Sequence, residues 1–488
     1  MFSSAVFIDD FYEQKTEFDI VIPDYCPSAE KILCCDIVPF VLSRTVEEDK
    51  IKIEYECAAT VVYTDENGVI HSLSENKRDS KLIGIGTKAG DSRIKAGLRP
   101  ITVNCRLANQ RHITVRAVIG MAVKAMGNVP FCTVDDTGEL EALYHTVDTN
   151  AFVCSAEALS HINGSTDVGE AVSDIISSYC VIKIDDVKPI TDKIVIKANA
   201  DIYVVYTTGE QKEDLKFQKF SVPFSDVVDA SGVAENSIVE ATAEITHLRC
   251  ETGDGTEIFA EAKALVTVSV FNPIQMNIMT DAYSMTLPVC AKKSKIMVES
   301  LYDRCRFNET VNASVPCDFS EARIVGIYPK AIIKGISLRE GMLAFDGEIY
   351  MKIYMYNDVE YKISDKSVPF SFTKPLSEAS GNIRCEAVAI AENITYNMPD
   401  DNTITVTATL GVDLNCFCSD TYDAVDSIEA DDSKQINCKG VILYSANKGE
   451  QLWDIAKKLS SSVDIIKRNN NLTSDTVENP AMLLVSFK

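Results

Sequence analysis

The sequence has little of what a membrane passenger, a secreted disulfide protein or a common hydrolase needs. No uninterrupted apolar run approaches the roughly 20 residues of a membrane helix, so insertion into a bilayer by helices is not expected. The first residues, MFSSAVFIDDFYEQ, have neither the basic start nor the apolar core of a secretory signal, and the expectation is a cytoplasmic protein. Sixteen cysteines are present, but they are scattered singly. Only Cys34-Cys35 and Cys416-Phe417-Cys418 lie close, and neither offers the C-x-x-C pair of a zinc site or redox motif. Cys57, Cys105 and Cys385 fall on apolar strand faces, where a reduced thiol behaves as a small hydrophobe, a usage that fits a reducing cytosol. The five histidines, His71, His112, His145, His161 and His247, show no ligand spacing. There is no P-loop, no G-x-S-x-G and no G-x-G-x-x-G following a strand. Gly253-Asp254-Gly255-Thr256 and Asp135-Asp136-Thr137-Gly138-Glu139 look like pieces of phosphate or metal loops, yet hairpin turns use the same residues for backbone reasons. The expectation is a non-enzyme with no catalytic residue, metal or cofactor.

Charge narrows the partners. The formal net charge is −25, which would repel a polyphosphate over most of the surface and argues against nucleic acid. Residues 441–488 hold six Lys/Arg (Lys448, Lys457, Lys458, Lys467, Arg468, Lys488) and five Asp/Glu (Glu450, Asp454, Asp464, Asp475, Glu478), so this tail is +1 and the remainder −26. A near-neutral end on an acidic body points to two surfaces with different jobs.

What the chain does have is period-two alternation, the mark of half-buried strands. Ile51, Ile53, Tyr55, Cys57, Ala59, Val61 and Tyr63 share one face and stop at Thr64-Asp65-Glu66-Asn67-Gly68, whose Asn-Gly is a hairpin signal. The pattern returns as Ile194, Ile196, Ala198, Ala200, Ile202, Val204 and Tyr206, and again as Leu343, Phe345, Gly347, Ile349, Met351, Ile353 and Met355. Ile51 to Ile194 is a spacing of 143, and Ile194 to Leu343 one of 149. Val222-Pro223-Phe224 and Val368-Pro369-Phe370 agree, at a spacing of 146. Tyr354 and Tyr356 fall one residue out of register with Tyr63 and Tyr206. A second hairpin closes each copy: Ile101, Val103, Cys105 and Leu107 with Ile113 to Val123; Val239 to Ile245 with Ile258 to Val270; Ile383 to Ala389 with Ile404 to Leu414.

A period of this length is domain-sized, so each copy should own a core. The expected fold is mainly β: three sandwich or barrel-like repeat domains followed by a small βααβ module. The boundaries expected are 18–150, 151–284 and 300–418 for the repeats, a flexible acidic linker over 419–439, and the module over 440–487.

In the tail the period becomes helical. Leu452, Ile455, Ala456 and Leu459 stand at i, i+3, i+4 and i+7. Ser461-Ser462 can cap a second helix carrying Val463 and Ile466, and apolar strand-like pieces at 441–444 and 482–485 flank the pair. Tyr444, Lys448-Gly449, Leu452-Trp453-Asp454-Ile455-Ala456, Val463 with Ile466, and Asn470-Asn471-Leu472 together resemble a LysM domain, with Trp453 and the isoleucines read as its small core. The resemblance implies a ligand groove, usually for N-acetylglucosamine-containing glycans, between two loops. Its residues would be Lys448, Gly449, Glu450, Gln451 and Leu452 on one side and Asn471, Leu472, Thr473, Ser474 and Asp475 on the other. Two departures bear on glycan: Gly449-Glu450-Gln451 replaces the family's Gly-Asp-Thr/Ser, and Pro480-Ala481 replaces its Pro-Gly.

Three segments of the body, Val21-Ile22-Pro23-Asp24-Tyr25 with Pro27 and Lys31-Ile32-Leu33, the stretch from Lys50 to Ser72, and Asp281-Ala282-Tyr283-Ser284, are similar to the SPOCS domain of SipL-type spore-coat proteins. That resemblance implies a protein on the mother-cell side of the forespore that couples the basal coat ATPase layer, or another coat protein, to later coat material. Peptidoglycan is the alternative partner.

Overall fold

A computed structural model describes residues 2–47, 49–85, 92–130, 140–209, 214–253, 255–376, 382–431 and 440–486. Six strands make a first unit: β1 (Phe2–Val21), β2 (Lys31–Glu47), β3 (Lys50–Thr64), β4 (Ile70–Gly84), β5 (Ser92–Asn109) and β6 (His112–Pro130). They form two antiparallel sheets, ordered β1-β6-β5 and β2-β3-β4. The same arrangement follows in β7 (Leu140–Asp167), β8 (Val172–Ile190), β9 (Lys193–Thr208), β10 (Asp214–Asp229), β11 (Ile238–Thr252) and β12 (Glu257–Ser284), with sheets β7-β12-β11 and β8-β9-β10. It occurs once more in β13 (Val289–Pro316), β14 (Arg323–Arg339), β15 (Met342–Tyr356), β16 (Tyr361–Pro375), β17 (Asn382–Asp400) and β18 (Thr403–Ala430), with sheets β13-β18-β17 and β14-β15-β16.

Each pair of sheets is a sandwich whose core comes from the alternating faces. Ile51, Ile53, Tyr55, Cys57, Ala59, Val61 and Tyr63 of β3 are all buried, facing Ile113, Val115, Ile119 and Met121 of β6. Asp65 shapes the β3–β4 turn by accepting the amides of Asn67 and Val69 at 2.9 and 3.0 Å, and Gly68 takes φ +78°, a conformation costly for a residue with a Cβ. Val222 and Val368 sit at one register position in two units, opposite Ala200 and Ile349.

The unit boundaries differ from those read in the sequence. The first unit begins at β1 rather than at residue 18, and β7 reaches back to Leu140. The third unit begins at Val289, not 300, and runs to Ala430, not 418. Residues 419–430, expected as flexible linker, are strand paired with 289–299 of β13; residues 432–439, and the acidic run 135–139, lie outside the described residues, as does Asp254. The cause is architectural. Beyond the third strand of their sheets, β7 with β12 and β13 with β18 continue as two-stranded ribbons packed on each other through Met276, Ile278, Ile296, Val298 and Ala424. In β18 this ribbon buries only Ala424 and Val425 deeply, and acids such as Glu429, bridged to Lys292 at 2.5 Å, face water. Ile101 and Val103, alternating positions of the first unit's closing hairpin, are exposed, with Ile101 in a register shift of β5.

The three units meet at equivalent positions. Val62, Val205 and Tyr354 lie equally far along the chain past Ile51, Ile194 and Leu343, and all three join one buried cluster. There Tyr354 exchanges a hydrogen bond with Ser177 at 2.8 Å and Tyr179 at 3.0 Å, Tyr179 donates to Asp36 at 2.6 Å, and Lys352 pairs with Asp36 at 2.8 Å. Asp36 belongs to the first unit, Tyr179 to the second and Lys352 to the third. A second junction joins Lys95, Glu240 and Glu386, again one position of three units, since they pair with Lys124, Ser269 and Asn415. Lys95 and Arg93 bond these two carboxylates, and Arg384 bonds Glu386 as well as Glu299 at 2.9 Å. The chain thus closes around a quasi-threefold centre of buried polar groups that are largely paired with one another, although Arg93 Nε and one oxygen of Glu240 have no hydrogen-bond partner.

After the third unit come β19 (Val441–Ala446), α1 (Leu452–Leu459), α2 (Val463–Asn470) and β20 (Ala481–Ser486); β19 and β20 pair antiparallel.

Candidate interaction site

The C-terminal module is small enough that every loop matters. α1 buries Leu452, Ile455 and Ala456 against Ile466 of α2, Val477, and Leu483 and Val485 of β20. Gln451 occupies the N-cap of α1 with no side-chain cap bond, whereas Ser462 caps α2 by accepting the Ile465 amide at 3.2 Å. Ser461 does not cap; its hydroxyl donates to the Ser486 carbonyl at 2.7 Å. Both helices end on a left-handed residue, Ser460 (φ 53°) and Asn471 (φ 52°).

The two loops singled out in the sequence lie side by side. The Gly449 amide donates to the Val477 carbonyl at 2.8 Å, the Val477 amide to Glu450 at 2.9 Å, and the Leu452 amide to Asp475 at 2.8 Å. The Thr476 hydroxyl donates to the Gln451 side chain at 3.1 Å, and the Lys467 ammonium pairs with Asp475 at 2.7 Å. Lys448, Gly449, Gln451, Asn471, Thr473 and Asp475 are exposed, Glu450, Leu472 and Ser474 half-buried, and Leu452 is core. Leu452 therefore fixes the first loop rather than contributing a contact surface. Gly449 takes φ +91°, with open space where a Cβ would stand, so its backbone is reachable. Asn447 donates to one oxygen of Glu450 at 3.0 Å; the other oxygen is enclosed and unpartnered.

Residues of α1 and Ser461 seat the module on the ribbon of β12. Trp453, expected from the sequence in the module core, is half-buried and packs edge-on against Tyr283, ring centroids 4.9 Å apart. Its indole N–H donates to Asp281 at 2.9 Å. The Lys457 ammonium donates to both Asp281 oxygens at 2.7 Å, Lys293 lies 3.5 Å from the same carboxylate, and the Tyr283 hydroxyl donates to the Ser461 carbonyl at 2.7 Å. Burial alone would raise the Asp281 pKa; the Lys457 and Trp453 donors and the Lys293 charge outweigh it and hold the carboxyl below its ordinary value. Burial pushes the Tyr283 phenol up. The sequence signal for this seat was Asp281-Ala282-Tyr283-Ser284 itself, an Asp-Tyr pair with one residue between, which puts both side chains on one face of a strand. Its partner could not be named without the fold.

Among the described residues, no group of three or more His, Cys, Asp or Glu is placed to hold a metal ion, and no helix is long and apolar enough to cross a membrane. The built surface of the module thus comprises a polar loop pair and a docked aromatic and ionic face.

Residues 171–252 match the family model described as SipL, SPOCS domain. The match begins one residue before β8 and ends with β11, inside the second unit. No curated protein and no solved structure matches the chain. The matched segment suggests a sporulation-related protein.

Proposed function

We propose that this chain is a non-catalytic scaffold of spore-envelope assembly that binds a coat morphogenetic protein, the basal-layer ATPase or another coat component, at the forespore surface. The three β units are read as SPOCS-like repeats and the C-terminal unit as a LysM-like module, working on the mother-cell side of the forespore. The single observation that carries this reading is the SipL SPOCS match within the second unit. The loop pair of the terminal module supplies the contact surface, and the Asp281 seat holds that surface at a fixed orientation on the body. An assembly protein gains from such fixed orientation, because a pre-ordered surface loses less freedom on binding.

A second reading, glycan binding by the same loops, is favoured by the reachable Gly449 backbone and the exposed polar rim of Gln451, Asn471 and Thr473. Sedimentation of full-length protein with insoluble peptidoglycan separates the two. The scaffold reading expects the protein to stay in the supernatant and to be retained on immobilised coat ATPase. Co-sedimentation that weakens on Asn471→Ala, with no retention on the ATPase, would establish the glycan reading instead.

A further inference from the structure

The third unit contains a pair of thiols that no other feature of the chain explains. Cys385 of β17 and Cys416 of β18 are direct partners across an antiparallel ladder, and their sulfurs stand 2.9 Å apart. Direct partners in such a ladder have Cα atoms about 4.5–5.5 Å apart, inside the roughly 4.4–6.8 Å window that a disulfide requires. Closing the bond therefore asks for side-chain rotation and no strand movement. From this geometry we infer that Cys385 and Cys416 form a cross-strand oxidation site, converting to a disulfide on exposure to a peroxide.

The order of events follows from the surroundings. Cys416 is buried at 0% exposure, whereas Cys385 is half-buried and flanked in sequence by Arg384, whose guanidinium is held over the ring of Phe417. The two thiols share one hydrogen bond in which either can donate; with Cys416 as donor, that bond and then the Arg384 charge lower the Cys385 pKa against the opposing effect of burial. The Cys385 thiolate is the nucleophile. It attacks one oxygen of hydrogen peroxide, the O–O bond breaks, and hydroxide leaves with the Cys385 sulfur oxidised to sulfenic acid. The Cys416 thiol then displaces the sulfenic hydroxyl, forming the S–S bond and releasing water. In sum two thiols lose two electrons and two protons, and one peroxide becomes two waters. The bridge lands between Arg384 and Glu386; Glu386 bonds Lys95 of the first unit and is itself held by Arg384, so oxidation ties the third unit beside the contact that joins all three.

The test uses the full chain. No Lys or Arg lies between Cys385 and Cys416, so trypsin leaves both in one peptide, and an Asp- or Glu-directed protease is needed to part them. Protein treated with a small excess of hydrogen peroxide is blocked with N-ethylmaleimide, digested without reductant and mapped by mass spectrometry. The expected result is a linked pair of peptides holding Cys385 and Cys416, lighter by two hydrogens than their sum and separated by reductant. In Cys416→Ala, dimedone should instead label Cys385 as sulfenic acid. Exposed Cys290 reports that the oxidant acted. If Cys290 is oxidised while Cys385 and Cys416 stay maleimide-blocked, or if Cys416 pairs with Cys305 or Cys418, the inference is overturned.

Discussion

Removing the Asp281 carboxylate should release the C-terminal module from its seat, and the effect can be sized from the contacts. Asp281→Ala deletes the acceptor of the Trp453 indole and of the Lys457 ammonium, and removes the countercharge of Lys293. Breaking a buried charged pair typically costs about 3–5 kcal/mol. The Asp281 side chain is 13% exposed but that of Lys457 is 37% exposed, so screening trims the ionic share, and about 2–3 kcal/mol is expected. At about 1.4 kcal/mol per decade that is roughly a 30- to 150-fold fall in the ratio of docked to undocked module. Trp453 is the only tryptophan of the chain, and it lies in the interface, so its fluorescence reads docking directly. Asp281→Ala should red-shift the emission and raise quenching by acrylamide, while Asp281→Asn, which keeps an acceptor for the indole, should fall between variant and parent. Melting of the β units should be little changed, because Asp281 sits on the ribbon and not in a sandwich core. An emission maximum and acrylamide quenching identical to the parent in Asp281→Ala would refute the seat.

Three further outcomes follow. Asp281 has a folded pKa below its ordinary 3.8, so its contribution to docking is complete above that value and lost as pH falls through the lowered one; Trp453 emission should hold steady from pH 8 to 5 and shift only below about pH 4. Glu386 is raised by burial but brought down to about 2 by Lys95, Arg384 and Arg93 from an ordinary 4.5, which places about 3 kcal/mol of junction stability above pH 4.5, lost on acidification towards pH 2; Glu386→Gln should remove most of that acid dependence in a thermal melt. Gly347→Ala would set a Cβ 2.4 Å from the Ile332 carbonyl oxygen and 2.3 Å from the Phe370 ring, and should destabilise the third unit by about 1–3 kcal/mol in denaturant titration, whereas Gly449→Ala, with open space but φ +91°, should cost about 1–2 kcal/mol from backbone strain alone.

The alternating faces of β3, β9 and β15 are legible because one buried side and one wet side leave a period of two in the residue types. What escapes is wherever both faces are covered. Val62, Val205 and Tyr354 lie on the outer faces of their sheets, yet are buried by neighbouring units, and the out-of-register Tyr354 is the residue that reaches Ser177 and Tyr179 across the junction. A local pattern carries no information about a contact made with another unit of the chain. The ribbon 419–430 looks like linker for a related reason: its apolar residues, Tyr422, Ala424, Val425 and Ile428, are few and fall on both faces, so they show no period of two among the acids. In the module, helix periodicity and the Ser462 cap are plain in the sequence, and so are both loops. Trp453 packs at the edge of the module core as expected, but its indole bond to Asp281 was not legible, because Asp281 belongs to the ribbon of a different unit.

Everything functional depends on the loop pair of the seated module being the surface that engages a coat protein. Calorimetric titration of the full-length chain with the purified basal coat ATPase tests it directly, comparing the parent with Gln451→Ala/Asp475→Ala, whose Trp453 emission should match the parent and so show the module still seated. Saturable binding by the parent and at least a tenfold loss in the variant are expected; equal affinity of the two, or no binding by the parent, would contradict the claim.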